Sequence, residues 1–384
     1  MFADRTGWEL APNRFSAALE RARNAGRELL DLTESNPTRV GLRYPGGLLQ
    51  SLADPRGLEY RPEALGLAAA REAVAGYYGE MGANVPPHTI VLTSSTSEAY
   101  SFLFRLLCNP GDEVLVGVPS YPLFDYLASI QDVRLVLYPL LYDHGWQLDF
   151  HSLEQGLGTR TRALMLVHPN NPTGSYVQPA ERDRLSNISA ERGLALVADE
   201  VFLDYAIAGA APFTFAANLG ALTFTMSGLS KVAALPQVKL SWIVVSGPKA
   251  ARDEALQRLE VIADTYLSVS TAVQLALPEL LRDRRQAQGQ IGDRVRTNLA
   301  ELDRQLAGQK ACRRLEMEAG WYAVVRVPAT RPDEELAIQI LEREGVVVHP
   351  GHFYDFPSEG YIVLSLIPRV ELFAEGVRRV LIHL

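Results

Sequence analysis

The chain has 384 residues, 47% of them hydrophobic, with a formal net charge of −8 and a pI near 5.5. It is long enough for a large core, and for two domains in preference to one. The acidic balance argues against general nucleic-acid binding, which needs concentrated basic surface, and its only cysteines, Cys108 and Cys312, give neither a disulfide framework nor a metal-ligand spacing.

Cys108 ends the apolar stretch LFRLLC and reads as core filler. The first residues, MFADRTGWELAPNRF, lack the basic-then-apolar order of a secretory signal. No run approaches the roughly 20 apolar residues a membrane span needs, so a soluble cytoplasmic protein is expected. The first 45 or so residues suit neither a sheet nor a linker, and are expected to fold back onto the C-terminal part. From residue 62 the pattern turns helical: PEALGLAAAREAVAGYYGEMG opens near a proline and has Gly82 beyond its end.

Short apolar runs then alternate with helical stretches. They are IVLT (90–93), VLVGV (114–118), VRLVLY (133–138), RALMLV (162–167), LALVAD (194–199), ALTFTM (221–226) and WIVVS (242–246). Several are nearly continuous, as in strands covered on both faces. Helical patterns near 97–108, 122–130 and 179–192 supply right-handed crossovers. Beyond residue 250 a long helical region (249–308) leads to strand-like WYAVVRV (321–327), helical DEELAIQILEREG (333–345), VVVHP and YIVLSLI (361–367). This reads as a large central α/β domain and a smaller α+β domain made from both chain ends.

Four segments could carry chemistry, each following a predicted strand. TSSTSEAYSFLF (93–104) puts a hydroxyl cluster at a helix start, where Ser95, Thr96, Ser97 and free backbone N–H groups suit a phosphate; helix capping alone accounts for one of these hydroxyls. HPNNPTG (168–174) is a tight turn whose Asn171 amide can donate to a phenolate-like oxygen. ADE (198–200) ends an apolar strand with carboxylates, suited either to capping the next turn or to facing a protonated heterocyclic nitrogen. MSGLSK (226–231) joins a small hydroxyl-rich turn to Lys231, an amine able to form an imine with an aldehyde. Ligands of open α/β sheets bind past the carboxyl ends of the strands, so the four can converge on one crevice.

Five motifs, PSYP (119–122), NNPTG (170–174), ADEVF (198–202), SGLSK (227–231) and VVHPGHFY (347–354), stand in an order and spacing that resemble the class I/II aminotransferases of the fold-type I pyridoxal-phosphate family. The resemblance covers nearly the whole chain. It implies a fold-type I transferase with a large, mostly parallel-sheet domain over residues 50–280. The smaller α+β domain would take residues 1–49 and 281–384. It further implies pyridoxal 5′-phosphate as cofactor, no metal, a homodimer with active sites near the subunit interface, and amino acid and 2-oxo acid substrates. By the same resemblance Lys231 is the Schiff-base lysine and proton shuttle, and Asp199 the pyridine-nitrogen partner. Asn171 becomes the donor to the O3′ oxygen, Tyr121 the stacking aromatic, and Ser95 and Thr96 the phosphate loop. Tyr60 becomes the tyrosine that reaches the neighbouring subunit's cofactor phosphate.

Three departures stand out. Phe202 replaces a tyrosine that bonds O3′, leaving Asn171 as the main donor. Lys239 replaces a phosphate-binding arginine, keeping the charge without the guanidinium fork. Val363 falls where an arginine normally grips the substrate carboxylate; Arg369, six residues on, reads more readily as an exposed turn residue. His168 is expected to be structural, His349 and His352 flank the presumed substrate mouth, and Trp321 and Tyr322 read as strand core. The expected reaction is ping-pong transamination. Its alternatives are a lyase, decarboxylase or racemase of the same fold, an aminotransferase of an atypical amine, or a cofactor-binding regulator without turnover.

Overall fold

The computed structural model describes every residue except 208–212 and 268. In chain order it contains α1 (Arg14–Asn24), β1 (Leu30–Asp31), α2 (Ala68–Gly79), β2 (Ile90–Thr93), α3 (Thr96–Leu107), β3 (Glu113–Val118), α4 (Phe124–Ser129), β4 (Arg134–Tyr142), β5 (Trp146–Leu148), α5 (Phe150–Gly156), β6 (Thr161–Val167), α6 (Pro179–Arg192), β7 (Ala195–Asp199), β8 (Thr223–Gly228), α7 (Leu229–Val232) and β9 (Ser241–Ser246). The remainder comprises α8 (Lys249–Tyr266), α9 (Thr271–Arg282), α10 (Arg284–Leu306), β10 (Arg313–Arg314), β11 (Tyr322–Arg326), α11 (Asp333–Glu344), β12 (Val346–Val347), β13 (His349–Pro350), β14 (Tyr361–Ser365) and α12 (Val370–Val380).

The apolar runs form one eight-stranded sheet in the order β2-β9-β8-β7-β6-β3-β4-β5. Strands β8, β7, β6, β3 and β4 pair in parallel, whereas β9 pairs antiparallel with both β8 and β2. In the middle of the sheet the near-continuous apolar character follows from burial on both faces, and every residue of β7, β8 and β9 is buried; β4, toward the edge, is mostly half-buried or exposed. Strand β9 departs from the parallel pattern because residues 229–240 hold only one turn of α-helix and one of 3-10 helix. That is too little to cross over, so the chain turns back.

The local signals mostly set the boundaries. Helix α6 opens on Pro179 at its first turn, under a reciprocal cap between Gln178 and Glu181, and closes on Gly193 in the left-handed conformation. The helix expected from residue 62 begins instead at Ala68. Gly66 intervenes with φ of +96°, and a Cβ there would lie 2.5 Å from Leu92, so the backbone is fixed against β2 before any helix starts. The region 249–308 divides into α8, α9 and α10, with Leu267 (φ +50°) closing the first.

Strands β10, β11, β14 and β13 make a separate antiparallel sheet, and β1 pairs in parallel with β12. The N-terminal segment therefore does return to the C-terminal part. Phe15, Ala18, Leu32 and Val40 share one buried cluster with Leu336, Ile340, Val347, Ile362 and Phe373. Among the described residues no helix is long and apolar enough to cross a membrane.

Candidate functional site

Strands β2, β3, β6, β7 and β8 point their carboxyl ends to one edge of the large sheet. All four segments singled out in the sequence follow such an end, as does the PSYP loop after β3.

Lys231 lies in α7, directly after β8. Its Nζ stands 3.5 Å from the Ser35 carbonyl oxygen, 4.6 Å from the Trp321 ring centre and 5.5 Å from that of Phe202. The aromatic walls desolvate the amine and lower its pKa to about 8, against the opposing pull of Asp199 and Glu34, both anionic. The Lys231 carbonyl is held by the Tyr205 hydroxyl at 2.6 Å, which fixes the turn that carries the side chain.

Asp199 ends β7 and is buried. Its Oδ2 accepts from the Tyr100 hydroxyl at 2.9 Å and its Oδ1 from the Val201 N–H at 3.1 Å. Burial raises its pKa to about 6, and those two bonds together with the Lys231 charge oppose the rise. Neighbouring Glu200 is turned into the protein, accepting from Thr214 Oγ1 and Phe215 N–H at 2.6 Å each. Of the ADE carboxylates, Asp199 alone faces the Lys231 amine.

Asn171 is 7% exposed, and its carboxamide makes no hydrogen bond to any described residue. Its neighbour Asn170 builds the turn: Oδ1 accepts from Thr173 N–H and Oγ1, and Nδ2 donates to the Pro119 carbonyl. Gly174 (φ +70°) closes it against the small sheet's approach, where a Cβ would lie 2.3 Å from the Ala319 carbonyl oxygen. Tyr121 is partly buried, packed edge-on against Phe124 at 5.5 Å. Its phenol pKa is pushed up to about 12, by burial first and then by the Asp199 charge.

At the start of α3, Ser95 is the N-cap: its Oγ accepts from Glu98 N–H at 3.1 Å. The Thr96 and Ser97 hydroxyls make no hydrogen bond within the described residues and stay partly accessible at the helix N-terminus. Ser95 thus accounts for the capping hydroxyl, and Thr96 and Ser97 remain for an anion.

Two expected residues lie at the surface. Lys239 is exposed, just before β9, with a left-handed backbone (φ +60°). Tyr60 is 71% exposed on a surface pocket it shares with Arg61, Leu92 and Leu267. No hydrogen bond joins either to Lys231, Asp199 or Asn171 among the described residues.

The departures have structural counterparts. Phe202 packs edge-on to Trp321 and faces Lys231 with its ring. Val363 is fully buried in β14, paired with Val324 and His349. Arg369 is exposed and lies against Gly41 at the foot of α12. His168 is wholly structural: Nδ1 accepts from Val177 N–H, so Nε2 carries the proton donated to the Phe213 carbonyl. Burial lowers its pKa to about 4. His349 bonds the Tyr354 hydroxyl through Nδ1 at 3.0 Å, whereas His352 is exposed. Trp321 is buried, as strand core would be, yet it also walls Lys231.

Sequence reasoning missed Ser35, Glu34 and Tyr100. Tyr100 carried a usable signal, since it stands four residues after Thr96 and so on the same helical face. Ser35 carried none, because only the β1–β12 pairing brings its segment to the large sheet.

Comparisons with known proteins bear on the family and the fold. A family model described as aminotransferase class I and II matches residues 46–370. The chain is 24% identical over 376 residues to glutamate-pyruvate aminotransferase AlaA of Haemophilus influenzae, covering 94% of this chain and 91% of that protein. In structure it resembles the alanine aminotransferase of Pyrococcus furiosus, with a TM-score of 0.88, 20% identity, and coverage of 99% and 98%. It also resembles a mutant aspartate aminotransferase of Thermus thermophilus, with a TM-score of 0.86, 23% identity, and full coverage of both chains.

Proposed function

Because the chain belongs to the class I and II aminotransferases, and is thereby a pyridoxal-phosphate enzyme that moves an amino group from an amino acid to a 2-oxo acid, we propose that Lys231 is its cofactor-bearing and proton-moving residue. The observation that carries this reading is the Lys231 amine itself, desolvated against the adjoining rings of Trp321 and Phe202 near a buried aspartate.

The residues present fit the cofactor. Asp199 offers a buried carboxylate for the pyridine nitrogen, and Asn171, whose Nδ2 donates to no described residue and whose buried Oδ1 has no partner among them, could turn its amide N–H to the ring oxygen. Thr96 and Ser97, with the first N–H groups of α3, suit the phosphate, Ser95 holds the helix start in place, and Lys239, just before β9, whose Ser241 pairs with Thr93, brings a positive charge to the same end of the sheet. Tyr121 supplies a ring to stack on the pyridine. When bound, pyridoxal phosphate supplies an aldehyde carbon for the amino group and a ring that withdraws electrons from the substrate Cα.

The chain's own residues then act on protons and position. The lowered pKa keeps a useful fraction of Lys231 neutral near pH 8, and the neutral amine both attacks a carbonyl carbon and accepts the substrate Cα proton. Asp199 would hold positive charge on the ring nitrogen of the bound group. Trp321 and Phe202 exclude water from the Lys231 amine. Because the amino group would stay with the enzyme while the first oxo acid leaves and before the second binds, ping-pong kinetics are expected.

We further read the protein as a cytoplasmic homodimer in which Tyr60 reaches the partner's phosphate site. Residues 50–280 make the cofactor-binding unit, and residues 1–49 with 281–384 the smaller one. Every strand of the eight-stranded sheet lies between residues 90 and 246, which supports that division.

Borohydride reduction of the loaded protein tests the central assignment, because it fixes the cofactor to the lysine that bears it. Peptide mass mapping is expected to find the added mass on the peptide containing Lys231, and Lys231→Ala is expected to abolish both the adduct and amino transfer. An adduct on another lysine would overturn the assignment.

A further inference from the structure

We propose that Tyr100 is a positioning residue that holds the Asp199 carboxylate in its ionised form against the cofactor's ring nitrogen. The inference rests on the role given to Asp199 above and adds a residue to it.

Asp199 is taken out of water at the end of a fully buried strand, which disfavours its charge. Its charge is sustained by what touches its two oxygens. One accepts from a backbone N–H, that of Val201 at 3.1 Å. The other accepts from the Tyr100 hydroxyl at 2.9 Å, the only side-chain hydrogen bond to this carboxylate among the described residues. A hydroxyl donating to a carboxylate is a charge-assisted bond, stronger than a neutral one, and stronger again away from water.

Tyr100 is built for that task. It is 1% exposed, and its ring is held edge-on by Phe124 at 5.3 Å and flanked by Phe104 at 6.1 Å. Phe124 also packs on Tyr121, so the brace and the stacking ring share one support. Burial, and then the Asp199 charge, push the phenol well above its ordinary ionisation, so it remains a donor at any working pH. The other titratable groups facing Asp199 are Tyr78 from α2, Tyr121 from the loop after β3, Lys231 after β8 and Glu200 beside it. Only Lys231 among these is cationic, and its amine is committed to substrate chemistry.

Helix α3 gains a double role from this arrangement. Its first turn presents Thr96 and the N-terminal N–H groups, and one turn later the same face presents Tyr100 to Asp199. A single rigid element therefore addresses both the phosphate and the ring nitrogen.

Removing the hydroxyl leaves a carboxylate with one donor fewer and makes it a stronger base. The proton on the ring nitrogen then moves toward Asp199. In Tyr100→Phe loaded with pyridoxal phosphate labelled with 15N in the ring, the resonance is expected to shift toward the unprotonated position and to titrate at lower pH than in the parent protein. Cofactor affinity is expected to fall about tenfold, the loss typical of one charged hydrogen bond. A replacement of Tyr100 by 3-fluorotyrosine, a stronger donor of the same shape, is expected to move the titration midpoint the other way. A merely structural tyrosine would give neither response. Resonances that superimpose across the pH range in Tyr100→Phe, or a midpoint unmoved by the fluorinated residue, overturn the proposal. Failure to form the borohydride-fixed adduct on Lys231 contradicts instead the functional reading on which it stands.

Discussion

At the scale of single residues, two buried groups carry opposite protonation tasks within one strand-end crevice. Lys231 must lose its proton to work and Asp199 must stay without one. Burial helps the first and opposes the second, so Asp199 needs donors and Lys231 needs apolar walls. His168, on the neighbouring loop, shows the same physics applied to stability. Its folded pKa is lowered from 6.5 to about 4 by burial, so below pH 6.5 the unfolded chain binds a proton that the folded one refuses. Stability from this group is complete above pH 6.5 and is lost as pH falls toward 4, at a total cost of about 3 kcal/mol. Chemical denaturation of His168→Gln across that range is expected to give a shallower acid slope than the parent. Equal slopes would remove His168 from the account. Lys231, Asp199 and Asn171 could be singled out in the sequence because each lies at or just past the end of an apolar strand. Tyr100 was not singled out, because a tyrosine inside an amphipathic helix looks like core until its hydroxyl partner is known.

Among the elements, α3 separates two functions that the sequence had merged. Ser95 caps the helix, whereas Thr96 has a free hydroxyl. Ser95→Ala is expected to lower the stability of the cofactor-free protein by about 1 kcal/mol, the value of a lost N-cap. Thr96→Ala is expected to leave that stability within about 0.5 kcal/mol, as surface substitutions do, and to weaken cofactor binding. Thermal unfolding without cofactor and titration with it distinguish the two; a stability loss confined to Thr96→Ala would reverse the roles. Strand and helix periodicity located most elements to within a few residues, including α6, which matches its pattern of residues 179–192 end for end. The pattern failed where backbone geometry decided. Gly66 delays α2, and a short connection turns β9 antiparallel, neither of which leaves a mark in hydrophobic periodicity.

At the scale of the whole molecule, several large apolar side chains stay exposed among the described residues, some of them around residues 58–66. Leu58 (93% exposed), Tyr60 and Val261 (68%) stand out near two adjoining pockets that share Pro62, Glu63, Ala64 and Gly66. In the homodimer proposed above, exposed apolar side chains of this kind would be covered by the partner. Light scattering is expected to give a mass about twice 42.3 kDa, and the combination Leu58→Glu with Val261→Glu is expected to give a monomer with weakened cofactor binding. A monomeric parent protein would rule out the dimer and, with it, the shared role of Tyr60. The sequence conveyed this surface only through the position of Tyr60, because composition does not say which apolar residues remain outside.

The wall beside Lys231 also has a history in time. Ser35 and Glu34 reach it because Leu32 exchanges hydrogen bonds with Val347 and Ser365, and the Ser365 hydroxyl holds the Glu34 carbonyl at 2.7 Å. Lys231 and its entire sheet leave the ribosome well before Ser365 does. During synthesis the reactive amine therefore precedes the residue that fastens its nearest carbonyl neighbour, and the crevice takes its final shape only once Ser365 has been made.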